Sequence, residues 1–204
     1  RARVAHERLA AEYTGDLCEL DHRNPFELLV ATILSAQCTD KRVNMVTPAL
    51  FERWPDAVSL AAAEPSELEE AVRSTGFYQS KAKNLLAMSN RLVDVHGGEV
   101  PGEMKELVAL AGVGRKTANV VRSVALGLPG LPVDTHVIRL VHLLDITQET
   151  DPVKIESVLN PMVPAAERGE FSMRLILHGR RVCVARRPAC ESCVLADFCP
   201  SAGK

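Results

Sequence analysis

Apolar residues recur along most of this chain at the three- and four-residue spacing of helices, and Pro, Gly and capping residues cut the pattern into short pieces. Asn24, Pro25 and Glu27 make an N-cap, N1 and N3 set that opens a helix through PFELLVATILSAQ. Thr39 caps a second helix over 40–53, kinked at Pro48. Pro65 opens a short helix that Gly76 ends, and QSKAKNLLAMSNRLVDVH carries the next one as far as Gly97 and Gly98. A short helix near 103–109 leads into a turn at Gly112–Gly114. Further helices follow near 115–127, 135–144, 152–160 and 169–182, with Asp151 and Pro152 starting the third of these. No segment alternates with period two over a useful length, so the pattern predicts an all-α protein of roughly ten short helices. The softest boundary is LGLPGLPVD at 126–134, rich in Gly and Pro. A crevice between two helical lobes is expected there, with Asp134 on one lip and the Gly112–Gly114 turn on the other.

With 204 residues the chain can hold one large domain or two small ones, and 47% apolar with 25% charged residues is ordinary for a soluble protein. No apolar run reaches membrane-spanning length, and RARVAHERLAAEY is not a secretory signal, so a cytoplasmic protein is expected. The missing initiator Met points to a trimmed N-terminus. The net charge of −2 excludes a uniformly basic nucleic-acid binder, but the charge is unevenly spread. Residues 56–70 carry Asp56, Glu64, Glu67, Glu69 and Glu70 without a cation. Residues 171–204 carry Arg174, Arg180, Arg181, Arg186, Arg187 and Lys204 against Glu191 and Asp197. That asymmetry fits a polyanion bound on one side, although a solvated charge pattern accounts for it equally well.

Four of the six cysteines crowd the C-terminal region, Cys183, Cys190, Cys193 and Cys199, with the spacing C-x6-C-x2-C-x5-C. Four thiols so close together can fold around one centre, whereas disulfides are unusual in a cytosolic protein. Thiolate-only ligation suits zinc or an iron–sulfur cluster, and a single C-x2-C in place of two separated knuckles favours a [4Fe–4S] cluster. Between the first two cysteines, VARRPA holds Arg186 and Arg187 on a loop pinned at both ends. Those cations either offset the charge of the metal centre or grip phosphates, and the two roles are compatible. Cys18 and Cys38 are expected to be lone buried thiols without a chemical role.

LAGVGRKTANVV, residues 110–121, places two cations, Arg115 and Lys116, in the first turn of a helix, where the partly positive end normally favours carboxylates. Successive N–H groups of a glycine turn can meet a phosphate oxygen. A lysine in that positive field is disfavoured as an ammonium, which leaves more of it as a nucleophilic amine for a Schiff base. Simple charge pairing between Lys116 and phosphate is the other reading. In LPVDTHVIRL, Asp134 is either an N-cap or the carboxylate partner of that amine, while His136 is structural or ligand-facing and Arg139 a candidate phosphate contact.

Together LAGVGRKTANVV, VDTH and the cysteine tail resemble endonuclease III, the bifunctional DNA glycosylase of base excision repair. LSAQCTD (34–40) and GFYQSKAKN (76–84) are similar to its helical-barrel segments, and the likeness runs from about residue 20 to the end. The resemblance implies a helical-barrel domain with a helix-hairpin-helix motif over 21–131. It also implies a [4Fe–4S] cluster domain built from 1–20 and 132–204, with a DNA groove between the two. It implies that Lys116 displaces an oxidised pyrimidine at C1′ of double-stranded DNA and forms the Schiff base that leads to β-elimination, with Asp134 as catalytic aspartate. Gly112, Val113 and Gly114 would bind backbone phosphates, with Arg115 and Thr117 beside them and His136, Arg139, Arg186 and Arg187 as further DNA contacts. Gln37 would fill the gap left by a flipped nucleotide, and Phe77 stands where the family often has a leucine wedge. Cys183, Cys190, Cys193 and Cys199 would hold the cluster in a monomer associated with the nucleoid if bacterial. Three other readings compete: a monofunctional adenine-removing relative, which usually lacks a lysine at position 116; a protein that is mainly an abasic-site lyase; and a non-catalytic DNA-binding module.

Overall fold

The computed structural model describes residues 1–203, and Lys204, one of the cations of the basic C-terminal stretch, lies outside them. Eleven α-helices joined by turns, short 3-10 segments and one π turn account for the regular structure of the described residues, among which no strand occurs. None of these helices is long and apolar enough to cross a membrane. The chain divides into two compact units, residues 18–126 and residues 1–17 with 127–204.

The first of these units contains α2 (Pro25–Leu34), α3 (Asp40–Arg53), α4 (Ala57–Ala61), α5 (Pro65–Val72), α6 (Tyr78–His96), α7 (Met104–Val108) and α8 (Arg115–Val120). Helix α2 is buried at every position from Phe26 to Leu34, which makes it the central helix of the unit rather than an amphipathic surface one. Its start follows the sequence signal: the Asn24 side chain accepts the Glu27 N–H at 2.9 Å. Thr39 likewise accepts the Arg42 N–H and opens α3, which continues through Pro48. The stripe Ala82, Leu85, Met88 and Leu92 turns α6 onto the same core.

Three local features depart from the sequence pattern. Helix α2 stops at Leu34 instead of reaching Gln37, because Gln37 takes a left-handed φ of 51°. Helix α4 was not signalled by periodicity; a reciprocal capping box between Asp56 and Ser59 starts it. The single helix expected over 115–127 is α8 followed by a π turn, Val121–Ala125, closed by Leu126 N–H to the Val121 carbonyl at 3.2 Å.

The other unit packs α1 (Ala2–Glu12), α9 (Thr135–Leu143), α10 (Pro152–Leu159) and α11 (Arg168–Arg181) around the fully buried Phe171. His6 of α1 meets the Phe171 ring edge-on at 5.3 Å, and Arg8 pairs with Asp197 and donates to the Val194 carbonyl at 2.9 Å. These contacts tie the first helix to the last segment of the chain.

Candidate functional site

In the unit 18–126, α7 and α8 are joined by the turn through Gly112–Gly114. Val113 buries its side chain in the core and donates its N–H to Leu110, so it can offer a ligand only backbone. Gly112 has φ +76°, and a Cβ there would lie 3.1 Å from Asn84 Cβ on α6, so both conformation and close approach require glycine. Gly114 differs: its φ and ψ, −89° and 174°, suit any residue, and nothing lies within 4 Å of where its Cβ would be. It is the N-cap of α8, whose first turn holds Arg115 and Lys116 and no carboxylate. Lys116 is exposed and Thr117 half-buried.

Gln37 and Phe77 lie in the same unit on two different turns. Both are exposed, Phe77 to 65%, and both adopt positive φ, 51° and 48°. Among described non-glycine residues only Asp145 shares that conformation, which side chains of this size rarely adopt. Strain of that kind tends to mark functional positions.

In the other unit Asp134 caps α9, its Oδ1 accepting the N–H groups of His136 at 2.8 Å and Val137 at 3.0 Å. Both bonds fall on one oxygen, so capping and a second role for Oδ2 are compatible. The preceding segment is anchored by the buried Ser172 hydroxyl, which donates to the Pro132 carbonyl. Burial, reinforced by Arg139 and Arg180 and opposed by Asp134, holds His136 below the ordinary histidine range. Helices α9 and α11 meet so closely that a Cβ on Gly179 would come within 2.9 Å of His136 Cβ.

Arg139 Nη2 donates to the carbonyls of Gly179 at 2.9 Å and Cys183 at 2.7 Å. The residue expected to reach a phosphate therefore commits this nitrogen to the end of α11 and to the first cysteine. All four C-terminal cysteines line one cavity of about 300 Å³, together with Arg139, Leu143 and Arg186. Burial and the neighbouring thiols push Cys183 and Cys193 upward, with Arg139 opposing at Cys183. Clustered thiols of this kind lose their protons when a cationic centre joins them. Among the described residues, no three His, Cys, Asp or Glu side chains converge on a point that would hold a single ion. The four thiols line one cavity with room for several atoms, which fits an iron–sulfur cluster. Arg186 and Arg187 are exposed on the loop after Cys183, closed by Ala189 N–H to the Val182 carbonyl at 2.9 Å.

Sequence reasoning did not find His178, fully buried in α11, whose Nε2 lies 3.3 Å from Cys193 Sγ and whose Nδ1 lies 3.1 Å from Tyr13 Oη. Its signal was a polar residue on the apolar stripe of Phe171 and Leu175.

Comparison with known proteins gives a consistent result over most of the chain. Residues 30–164 match the HhH-GPD superfamily of base excision DNA repair proteins, and residues 183–199 match the iron–sulfur binding domain of endonuclease III. Endonuclease III of Synechocystis sp. is 53% identical over 191 residues, covering 93% of this chain and 87% of that protein. Endonuclease III of Bacillus subtilis is 46% identical over 183 residues, covering 89% and 84%. The solved structure of a non-covalent endonuclease III–DNA complex superposes with a TM-score of 0.92 at 42% identity, covering 98% of this chain and 94% of that one.

Proposed function

The chain belongs to the endonuclease III family, within the HhH-GPD superfamily of base excision DNA repair proteins, and from that premise we propose how its own residues divide the work. It is a DNA glycosylase and abasic-site lyase that removes oxidised pyrimidines from double-stranded DNA. Lys116 Nζ attacks C1′ of the damaged nucleotide, and the C1′–N bond breaks as the base leaves with the bonding pair and takes up a proton. Loss of a proton from the amine, and return of a proton to O4′ as the C1′–O4′ bond opens, leave a protonated Schiff base. Removal of a C2′ proton then expels the 3′ phosphate. Asp134 accepts the proton of the attacking amine and offsets positive charge on the sugar.

Gly112 and Gly114 present backbone to phosphates on either side of Val113, whose N–H is held by Leu110, and Arg115 and Thr117 extend that contact along α8. Gln37 and Phe77 occupy the stack vacated by the flipped nucleotide. Cys183, Cys190, Cys193 and Cys199 hold the [4Fe–4S] cluster, which supplies a cross-link between the end of α11 and the last turns of the chain. That cross-link keeps Arg186 and Arg187 on a fixed loop for phosphate binding. The working form is a monomer in the cytoplasm, at the nucleoid in a bacterial cell.

The single observation that carries this reading is the start of α8, where Gly114 has open space above it and an exposed lysine follows two residues later. Neither backbone conformation nor packing demands a glycine there, and capping α8 is served as well by Ser, Thr, Asn or Asp, whereas a closely approaching nucleic-acid backbone does demand one. Borohydride trapping on one duplex holding an oxidised pyrimidine and one holding an abasic site tests the proposal. A covalent adduct on both, lost in Lys116→Gln while DNA binding persists, is the expected result. Trapping on the abasic duplex alone leaves the lyase and removes the assigned base specificity, and normal cleavage by Lys116→Gln removes the nucleophile assignment.

A further inference from the structure

Lys81 is a lysine on the apolar stripe of α6, only 4% exposed, four residues before Leu85 and seven before Met88. Its Nζ donates to two carbonyls at 2.8 Å each, those of Leu34 and Thr75. Its backbone N–H donates to a third, that of Phe77, at 3.0 Å. Leu34 is the last residue of α2, three before Gln37, and Thr75 ends the 3-10 turn after α5, two before Phe77. One buried ammonium thus joins the two turns that carry the exposed, left-handed Gln37 and Phe77.

Burial is costly for this group and pushes it below the ordinary lysine range, with the Cys38 thiol working against that shift. A Met or Leu would fill the same stripe without that cost. Two carbonyls 41 residues apart in the chain, held by the donors of one packed side chain, give the site something an apolar residue cannot: a fixed separation between two turns.

We propose that Lys81 is a positioning residue, a carbonyl clamp that sets Gln37 and Phe77 in register to enter the duplex together when the damaged nucleotide leaves the stack. The clamp rests on the reading of Gln37 and Phe77 given above. It acts on insertion and leaves the Schiff-base chemistry at Lys116 to proceed by itself. Removing it therefore slows reactions that require a nucleotide to be extruded from a duplex, and spares attack on an abasic sugar in a single strand, where no stack has to be filled.

The test uses the full-length holoprotein and the variant Lys81→Met, with Lys81→Gln, which keeps a donor but cannot span both carbonyls, in its place should the Met variant fail to fold. Single-turnover removal of an oxidised pyrimidine from a duplex is expected to fall about tenfold, a change of about 1.4 kcal/mol in activation free energy. Borohydride trapping on a single-stranded abasic oligonucleotide is expected to change by about twofold at most, within the scatter of such mutational effects. Adding Phe77→Ala to the Lys81 variant is expected to cost less than Phe77→Ala costs alone, because both act on one step. Equal loss on both substrates, unimpaired duplex excision, or fully additive effects would each overturn the clamp. Absence of trapping by the unaltered protein would instead count against the underlying functional reading.

Discussion

Replacing Gly112 and Gly114 in turn by alanine separates what the fold needs from what a ligand needs. At Gly112 the φ of +76° places an alanine in the left-handed region, which costs an L-residue about 1–2 kcal/mol. The new Cβ also sits 3.1 Å from Asn84 Cβ and 3.2 Å from its Nδ2, inside ordinary contact distance, so Asn84 has to give way. Lower entropy of the unfolded chain returns only about 0.4–1 kcal/mol. A net loss of about 1 kcal/mol corresponds to a melting temperature about 2–4 °C lower for a chain of this length. Gly114 presents the opposite case, with φ −89°, ψ 174° and nothing near its Cβ position. There the same entropy gain is opposed only by the exchange of glycine for alanine at the N-cap of α8, a loss of similar size, and Gly114→Ala is expected to melt within about 2 °C of the unaltered protein. If a phosphate backbone closes on Gly114, that methyl group occupies its path and affinity is expected to fall by about tenfold, or about 1.4 kcal/mol. Circular-dichroism melts give the first quantity, and fluorescence anisotropy with a labelled abasic-analogue duplex at fixed salt gives the second. A Gly114→Ala protein that melts several degrees lower, or binds DNA with undiminished affinity, refutes the assignment of Gly114 to the ligand. A Gly112→Ala protein as stable as the original refutes the steric argument.

Three further outcomes are expected. Asp134→Asn retains a good N-cap for α9 and so melts close to the original, yet it slows base removal in single-turnover assays; Asp134→Ala adds a stability loss of about 1 kcal/mol, and a full-speed Asn variant would leave Asp134 only its cap. Elemental analysis is expected to find about four iron per chain, and chelation to expose the loop at Arg186 and Arg187 to trypsin; one zinc without iron would overturn the cluster assignment. His136 has a folded pKa below its unfolded value, chiefly through burial, so its neutral form is the native one. Its contribution to stability is full above about pH 6.5 and is lost as pH falls from there toward the lower folded pKa; denaturant melts from pH 7 to pH 5 should show a flatter decline in His136→Gln.

Much of the architecture follows from local signals, because helix caps and helical periodicity act over a few residues. The Asn24, Thr39, Asp134 and Asp151 caps occupy the positions read from the sequence, and each accepts the N–H bonds expected of it. The four-cysteine spacing and the glycine turn before Lys116 were equally legible, since each is a contiguous motif whose chemistry lies in its residue types. Tertiary structure decided what depends on contacts between distant segments. It turned Arg139 toward Cys183, set His178 against Cys193, and made Lys81 a bridge between Leu34 and Thr75. It also distinguished the two glycines of one turn, because a positive φ and the approach of Asn84 on α6 together make Gly112 obligatory for the fold. A buried polar group takes its role from the partners that desolvation forces it to find, and those of Lys81 lie 6 and 47 residues away in the chain.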